Sequence, residues 1–126
     1  MSKKIVIVED HPAVRRVLTL SLQQRGYEIV EANNGGSGIA LTTEENPDLV
    51  LLDLSLPDLS GLEIATRIKQ NPGTAEIPLV GLSGCTEREL AVKSLEVGMA
   101  AYLTKPADTQ ELVNVIENLT ESRSLP

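Results

Sequence analysis

Apolar residues fall into short blocks along this chain, separated by helix-length stretches of mixed character. Ile5–Val8 is β-branched and unbroken, the pattern of a strand covered on both faces. Pro12 follows where a first helical turn accepts it, and Val14, Leu18 and Leu22 then recur every fourth residue, which predicts a helix. Gly26 punctuates, and Tyr27–Ala32 reads as a second, less apolar strand. Beyond Gly35, Gly36 and Gly38 a second helix is expected to about Glu45, closed by Asn46-Pro47. Leu49–Leu52 predicts a third strand, and Leu56–Gly61 a loop entering a helix that carries Ile64 and Ile68. Asn71-Pro72-Gly73 breaks that helix, and Pro78 introduces a fourth strand, Leu79–Leu82. Thr86, with Glu89 placed for a capping box, predicts the start of a fourth helix that Gly98 ends. Ala101–Leu103 is a short fifth strand stopped by Lys105-Pro106. Asp108 is placed to cap a last helix with Leu112, Ile116 and Leu119 on one face.

Five strands alternating with five helices imply βα units and a parallel sheet between helical layers, a single doubly wound α/β domain. The alternation does not give the strand order. A length of 126 residues suits one domain, here expected over residues 1–120, with the polar stretch 121–126 as a tail or the start of a linker. A chain of this size buries roughly two-thirds of its unfolded surface, so neither disulfide nor structural metal is needed to hold it. Cys85 is the sole cysteine, which fits a reducing compartment. No apolar run approaches the roughly 20 residues of a membrane span, and the first residues do not make a signal segment. A cytoplasmic protein without membrane contact is the expectation. The formal charge of −7, from 11 basic and 18 acidic residues, argues against direct nucleic-acid binding and suits a cation or protein partner.

In open parallel sheets, ligands gather beyond the carboxyl ends of the strands. There the first strand ends in Glu9-Asp10, the third in Asp53, the fourth in Ser83 and the fifth in Lys105. Singly, such groups are most often solvated boundaries, helix caps or turn residues. Together they place three carboxylates, a hydroxyl and an ammonium along one edge. Clustered carboxylates repel unless a cation intervenes, and hard oxygen donors suit Mg²⁺. An ammonium and a hydroxyl beside that cation suit an incoming phosphoryl group, and a carboxylate there can act as nucleophile to form an acyl phosphate.

Val8-Glu9-Asp10, Leu51-Leu52-Asp53-Leu54-Ser55-Leu56-Pro57, Leu82-Ser83-Gly84 and Tyr102-Leu103-Thr104-Lys105-Pro106 resemble the receiver domains of two-component response regulators, from about Lys4 to Leu119. Each motif alone is weak, but their order at successive strand ends is specific. The resemblance implies a flavodoxin-like three-layer (βα)5 sandwich, like that of the chemotaxis response regulator, with strand order 2-1-3-4-5. It implies that Asp53 accepts a phosphoryl group from the phosphohistidine of a sensor histidine kinase or a histidine phosphotransfer protein. Asp10, Asp53 and the Ser55 carbonyl would bind Mg²⁺, with Glu9 helping mainly through water. Lys105, the Ser83 hydroxyl and the Gly84 N–H would take phosphoryl oxygens. Pro106 would follow a cis peptide bond, and Tyr102 would rotate inward once Ser83 is drawn to the phosphate. Output would run through the fourth helix, fifth strand and fifth helix, roughly Thr86–Leu119, to a downstream protein target, an effector domain or a second copy of the chain.

Departures from the family pattern are small. Ser83 stands where Thr is common, which keeps the hydroxyl. Ser55 and Cys85, two residues beyond Asp53 and Ser83, are poor at orienting water, so slow loss of phosphate is expected. His11 reads as a helix-start residue beside Pro12 rather than a metal ligand or pH sensor. Gly35, Gly36 and Gly38 match no nucleotide-loop spacing and read as a flexible turn. Three competing functions fit less well. A small-molecule phosphatase would need a second acid/base and a cap, and Ser55 sits where one such class has Asp. A flavin carrier would need aromatic residues, and there are two Tyr with no Trp or Phe. A receiver that has lost its chemistry would not keep Asp10, Asp53, Ser83 and Lys105 together.

Overall fold

The computed structural model describes residues 2–84, 92–93 and 95–124. Its elements run β1 (Lys4–Val8), α1 (Pro12–Gln23), β2 (Glu28–Ala32), α2 (Gly35–Glu45), β3 (Leu49–Asp53), α3 (Gly61–Gln70), β4 (Leu79–Ser83), β5 (Ala101–Thr104) and a C-terminal helix (Thr109–Ser124). The five strands pair in parallel in the order β2-β1-β3-β4-β5. The expected fourth helix, with Cys85, Thr86 and Glu89, falls largely outside the described residues, although Val92, Lys93, Leu95 and Glu96 are helical.

Alternation along the strands builds two cores, one on each face. Val6, Val8, Val50 and Leu52 point to one side, where Ile64, Ala65 and Ile68 of α3 cover them. Ile5, Ile7, Leu49 and Leu51 point to the other, against Leu22 of α1 and Leu112, Val113 and Ile116 of the C-terminal helix. Burial on both faces is why β1, β3 and β4 are continuously apolar. β2 lies at an edge and reads as partly polar.

The stripe Val14–Leu18–Leu22 is helical as expected, with Leu22 fully buried and Val14 and Val17 facing solvent. Two details depart from the sequence expectations. The C-terminal helix continues to Ser124 rather than yielding to a tail at Glu121. Thr120 near its end is buried, its hydroxyl donating to the Ile116 carbonyl at 2.8 Å within the helix.

The second departure is that Gly35, Gly36 and Gly38 are not a flexible turn. They form the first turns of α2, which Asn34 caps by accepting the Ser37 N–H at 2.8 Å. Glycine is needed there for approach rather than flexibility. A Cβ on Gly38 would lie 2.7 Å from Val8 Cγ2, and one on Gly35 2.8 Å from Ile64 Cδ1. A Cβ on Gly36 would make ordinary contacts, no nearer than 3.5 Å. Gly38→Ala is therefore expected to lower unfolding free energy by roughly 1–3 kcal/mol, because overpacking against a β-branched strand residue outweighs the helix propensity gained. Gly36→Ala is expected to be neutral or stabilising by up to about 1 kcal/mol. Urea denaturation of both variants checks the contrast.

Candidate functional site

The strand order places β1 beside β3 at the centre of the sheet, where connections leave in opposite directions and a crevice opens beyond the carboxyl ends. Asp53 closes β3, and Glu9 follows β1 directly. Both are buried, at 3% and 1% exposure. Lys105, just past β5, sets its Nζ 3.0 Å from Glu9 Oε1 and 3.1 Å from Asp53 Oδ2. Asp10 is exposed at the rim, yet the carboxylates of Glu9, Asp10 and Asp53 each bring an oxygen within 4.8 Å of the others. Two of the three carboxylates thus meet the Lys105 ammonium and the third lies beside them, a net negative cluster of hard oxygen donors. That donor set fits a divalent cation such as Mg²⁺.

The backbone fixes these groups. The Glu9 N–H donates to the Ala32 carbonyl at 3.0 Å, and the His11 N–H to Glu9 Oε2 at 3.2 Å. Asp53 Oδ1 accepts the Ser55 N–H at 3.0 Å, which leaves Oδ2 to face Lys105. The Lys105 N–H donates to the Ser83 carbonyl at 2.7 Å, joining β4 and β5 beside the cluster. The Ser83 hydroxyl donates to the Gly84 carbonyl at 3.1 Å and accepts the Tyr102 hydroxyl at 3.2 Å. The Lys105–Pro106 peptide bond is cis.

The charges shift one another. Burial pushes the Glu9 carboxyl above the ordinary value, the Lys105 bond pulls it down, and adjacent Asp53 pushes it up again. For Lys105, burial opposes the charge, but the bond to Glu9 and the charge of Asp53 outweigh it, and its ammonium is held above the ordinary lysine value.

A family model described as the response regulator receiver domain matches residues 5–117. This chain belongs to the response regulator receiver domains. Among curated relatives, it is 39% identical over 113 residues to the phosphate regulon transcriptional regulatory protein PhoB of Pseudomonas aeruginosa, covering 90% of this chain and 49% of that protein. It is 34% identical to Protein PilH of the same organism, covering 90% of this chain and 93% of that one. The chain spans about half the length of several curated relatives it matches, PhoB included. Among solved structures, the CheY-like response regulator receiver domain protein of Methanospirillum hungatei superposes with a TM-score of 0.91 at 28% identity, covering 98% of each chain. Receiver domains are regulatory phosphoacceptors of two-component signalling. Their parallel five-stranded sheet in the order 2-1-3-4-5 is the one seen here. Among the described residues no helix is long and apolar enough to cross a membrane.

The receiver's strand-end residues foreseen from sequence do converge: Glu9, Asp10, Asp53 and Lys105 in one cluster, with Ser83 and Tyr102 bonded together beside it. His11 meets the cluster through its backbone N–H, while its exposed side chain caps α1, Nδ1 accepting the Val14 N–H at 3.4 Å. Two residues were not foreseen. Asp58 accepts the Gly35 and Gly36 N–H groups at 2.8 and 2.9 Å, which pins the β3–α3 loop to the start of α2 and lowers its pKa. Arg15 reaches the Glu9 carbonyl and Glu31. Neither contact has a local sequence signature, because the partners are brought together by the sheet. An apolar groove of about 490 Å³ also adjoins Lys105, lined by Ala13, Val14, Val17, Leu18, Leu82 and Pro106.

The raised pKa of Glu9 has a consequence for the metal-free protein. The fold binds this proton more tightly than the unfolded chain does. Stability from this group is therefore greatest below the ordinary value of 4.5 and is lost as pH rises through the raised value. Asp58 acts with the opposite sign, losing its contribution as pH falls from its ordinary value of 3.8 through the lowered one. In EDTA, Glu9→Gln is expected to be more stable than the parent at pH 8, with the gap closing towards pH 4.5. Urea denaturation across that range checks it, and the Asp58 contribution cancels between the two proteins. A gap independent of pH would rule out the burial of a charged Glu9 as its cause.

Proposed function

We propose that this chain is a phosphorylation-dependent switch of a two-component phosphorelay, accepting a phosphoryl group on Asp53 from the phosphohistidine of a sensor histidine kinase or histidine phosphotransfer protein. The observation that carries the reading is the buried Asp53 carboxylate with Lys105 Nζ at 3.1 Å and two further carboxylates within metal-sharing distance. Asp10, Asp53 and the Ser55 carbonyl would hold Mg²⁺, with Glu9 mainly through water; when bound, the cation neutralises charge on the transferring group. An Asp53 oxygen attacks phosphorus as the bond to the donor's imidazole nitrogen breaks, and that nitrogen leaves with the electron pair. Lys105 takes one equatorial oxygen, and the Ser83 hydroxyl with the Gly84 N–H takes another.

The Tyr102 hydroxyl already donates to Ser83 Oγ, 3.2 Å away on the neighbouring strand, so the inward rotation expected of Tyr102 from the resemblance is not needed to bring the two together. That bond is the first link from chemistry to output, through the face from about Thr86 to Leu119, and biases an existing equilibrium rather than building a new fold. The recipient is a downstream protein target, an effector domain or a second copy of the chain. Ser55, bonded through its N–H to Asp53, offers no acid or amide to orient water, which supports slow self-dephosphorylation.

Incubation with acetyl phosphate and Mg²⁺, followed by intact-mass measurement, is expected to show one added phosphoryl group. EDTA or Asp53→Asn is expected to abolish it. Label that persists in either case would overturn the mechanism, and size-exclusion chromatography of the labelled protein reports any dimer.

The donor itself is a protein, and the groove beside Lys105 offers it apolar surface, with Val17 63% exposed. Val17→Glu is expected to slow transfer from a phosphohistidine protein several-fold while leaving labelling by acetyl phosphate unchanged. Equal loss with both donors would place the effect in the chemistry rather than in docking.

A further inference from the structure

Two of the three carboxylates, Glu9 and Asp10, owe their placement to one short turn, Glu9-Asp10-His11, between β1 and α1. Glu9 is locked by burial and by Lys105, whereas Asp10 is exposed, and what the fold fixes for it is the backbone from which its side chain starts. That backbone begins with the peptide joining Glu9 to Asp10. Its carbonyl oxygen accepts Nη1 of Arg15 at 2.8 Å. The same guanidinium donates through Nε to Glu31 Oε1 at 2.9 Å, and its side chain is only 18% exposed.

Arg15 is tied to the turn a second time, because its own N–H donates to the His11 carbonyl at 2.9 Å. Glu31 lies on β2 opposite Ile7, one residue before Ala32, whose carbonyl takes the Glu9 N–H at 3.0 Å. The edge strand therefore holds the peptides flanking Glu9 from both sides: directly at its N–H, and through Glu31 and Arg15 at its carbonyl. A planar guanidinium suits this task, since its fixed fork meets two acceptors at once with neither bond rotating freely.

We infer that Arg15, oriented by Glu31, is a positioning residue for divalent-cation binding, holding the Glu9–Asp10 peptide so that Asp10 points into the carboxylate cluster. The inference rests on the cation-dependent reading of the site proposed above. Arg15 does not touch the phosphoryl group or the cluster's carboxylates. Its loss weakens cation affinity and spares the acceptor chemistry once the cation is saturating. Outer groups that orient metal ligands commonly affect affinity in this way.

Isothermal titration of MgCl₂ into the full chain tests it, beside labelling by acetyl phosphate at graded Mg²⁺. Arg15→Ala is expected to raise the Mg²⁺ Kd roughly 10-fold. The labelling rate at saturating Mg²⁺ should stay near that of the parent. Arg15→Lys, which keeps the charge but not the fork, is expected to fall between the two, and Glu31→Gln to shift the Kd the same way. Arg67→Ala, which breaks an exposed pair within α3, is the control and should change nothing. An unchanged Kd in Arg15→Ala overturns the inference, as does a loss of labelling that saturating Mg²⁺ does not restore. If Arg15→Ala melts below the assay temperature, Arg15→Lys and Glu31→Gln decide: parental affinity in both overturns it, and weakened affinity in both supports it. A parent chain that binds no Mg²⁺ instead overturns the cation-dependent reading beneath it.

Discussion

The ammonium of Lys105 stands between two buried carboxylates, and most of what this chain can do follows from that sharing. A buried charge is tolerated only with a partner, and here Glu9 and Asp53 divide a single one. Each carboxylate is left with part of a countercharge, and Asp10 at the rim adds a third negative group. The pocket is therefore under-neutralised. It is drawn towards a cation, while the half-engaged ammonium remains able to meet an anion. A site with its charges fully matched would be more stable and chemically inert. The Glu9 carboxyl is raised first by its burial, which the Lys105 bond opposes and neighbouring Asp53 reinforces.

Such an arrangement requires a rigid frame, since like charges separate if they can. Both central strands are covered on their two faces, and the last apolar residue of each, Val8 and Leu52, lies in the core beneath α2 and α3. α2 packs so closely that Gly38 has no room for a Cβ against Val8. Asp58 then ties the loop following Asp53 to the first turn of α2, and Arg15 ties the loop following Val8 to β2. Each acid-bearing loop is thus fastened to an element it does not directly follow. The charged edge inherits its rigidity from contacts that carry no chemistry themselves.

The division between what sequence shows and what it hides follows the same line. β-branched runs, the residues that end them and the helix stops are local, so the five strands and the cluster Glu9, Asp10, Asp53 and Lys105 could be read directly. Strand order depends on pairing between distant segments, and it was reachable only through resemblance. The clamp from Asp58 to Gly35 and Gly36 spans more than twenty residues, as do the close approaches of Gly35 to Ile64 and of Gly38 to Val8, so glycines at a helix start looked like a turn. Arg15 gives no local signal, because Glu31, sixteen residues away, reaches it only through the pairing of β1 with β2. The four-residue period of α1 foretold a helix but not its burial, because periodicity reports a face without saying what covers it.

That uncovered face carries a further consequence. Val14 and Val17 sit on α1 beside Lys105, whereas the charged cluster lies inside the sheet edge. Acceptor chemistry needs a few polar groups at fixed distances, and many chains can supply the same set. It cannot distinguish one phosphohistidine from another, because the transferring group is identical. Discrimination must come from surface that the donor protein touches and the phosphoryl group does not. On the reading proposed above, the outer face of α1 at Val14 and Val17 meets both conditions, since it borders Lys105 and carries no charge there. Its side chains can change without cost to the chemistry, which leaves partner choice free to vary on a fixed catalytic frame.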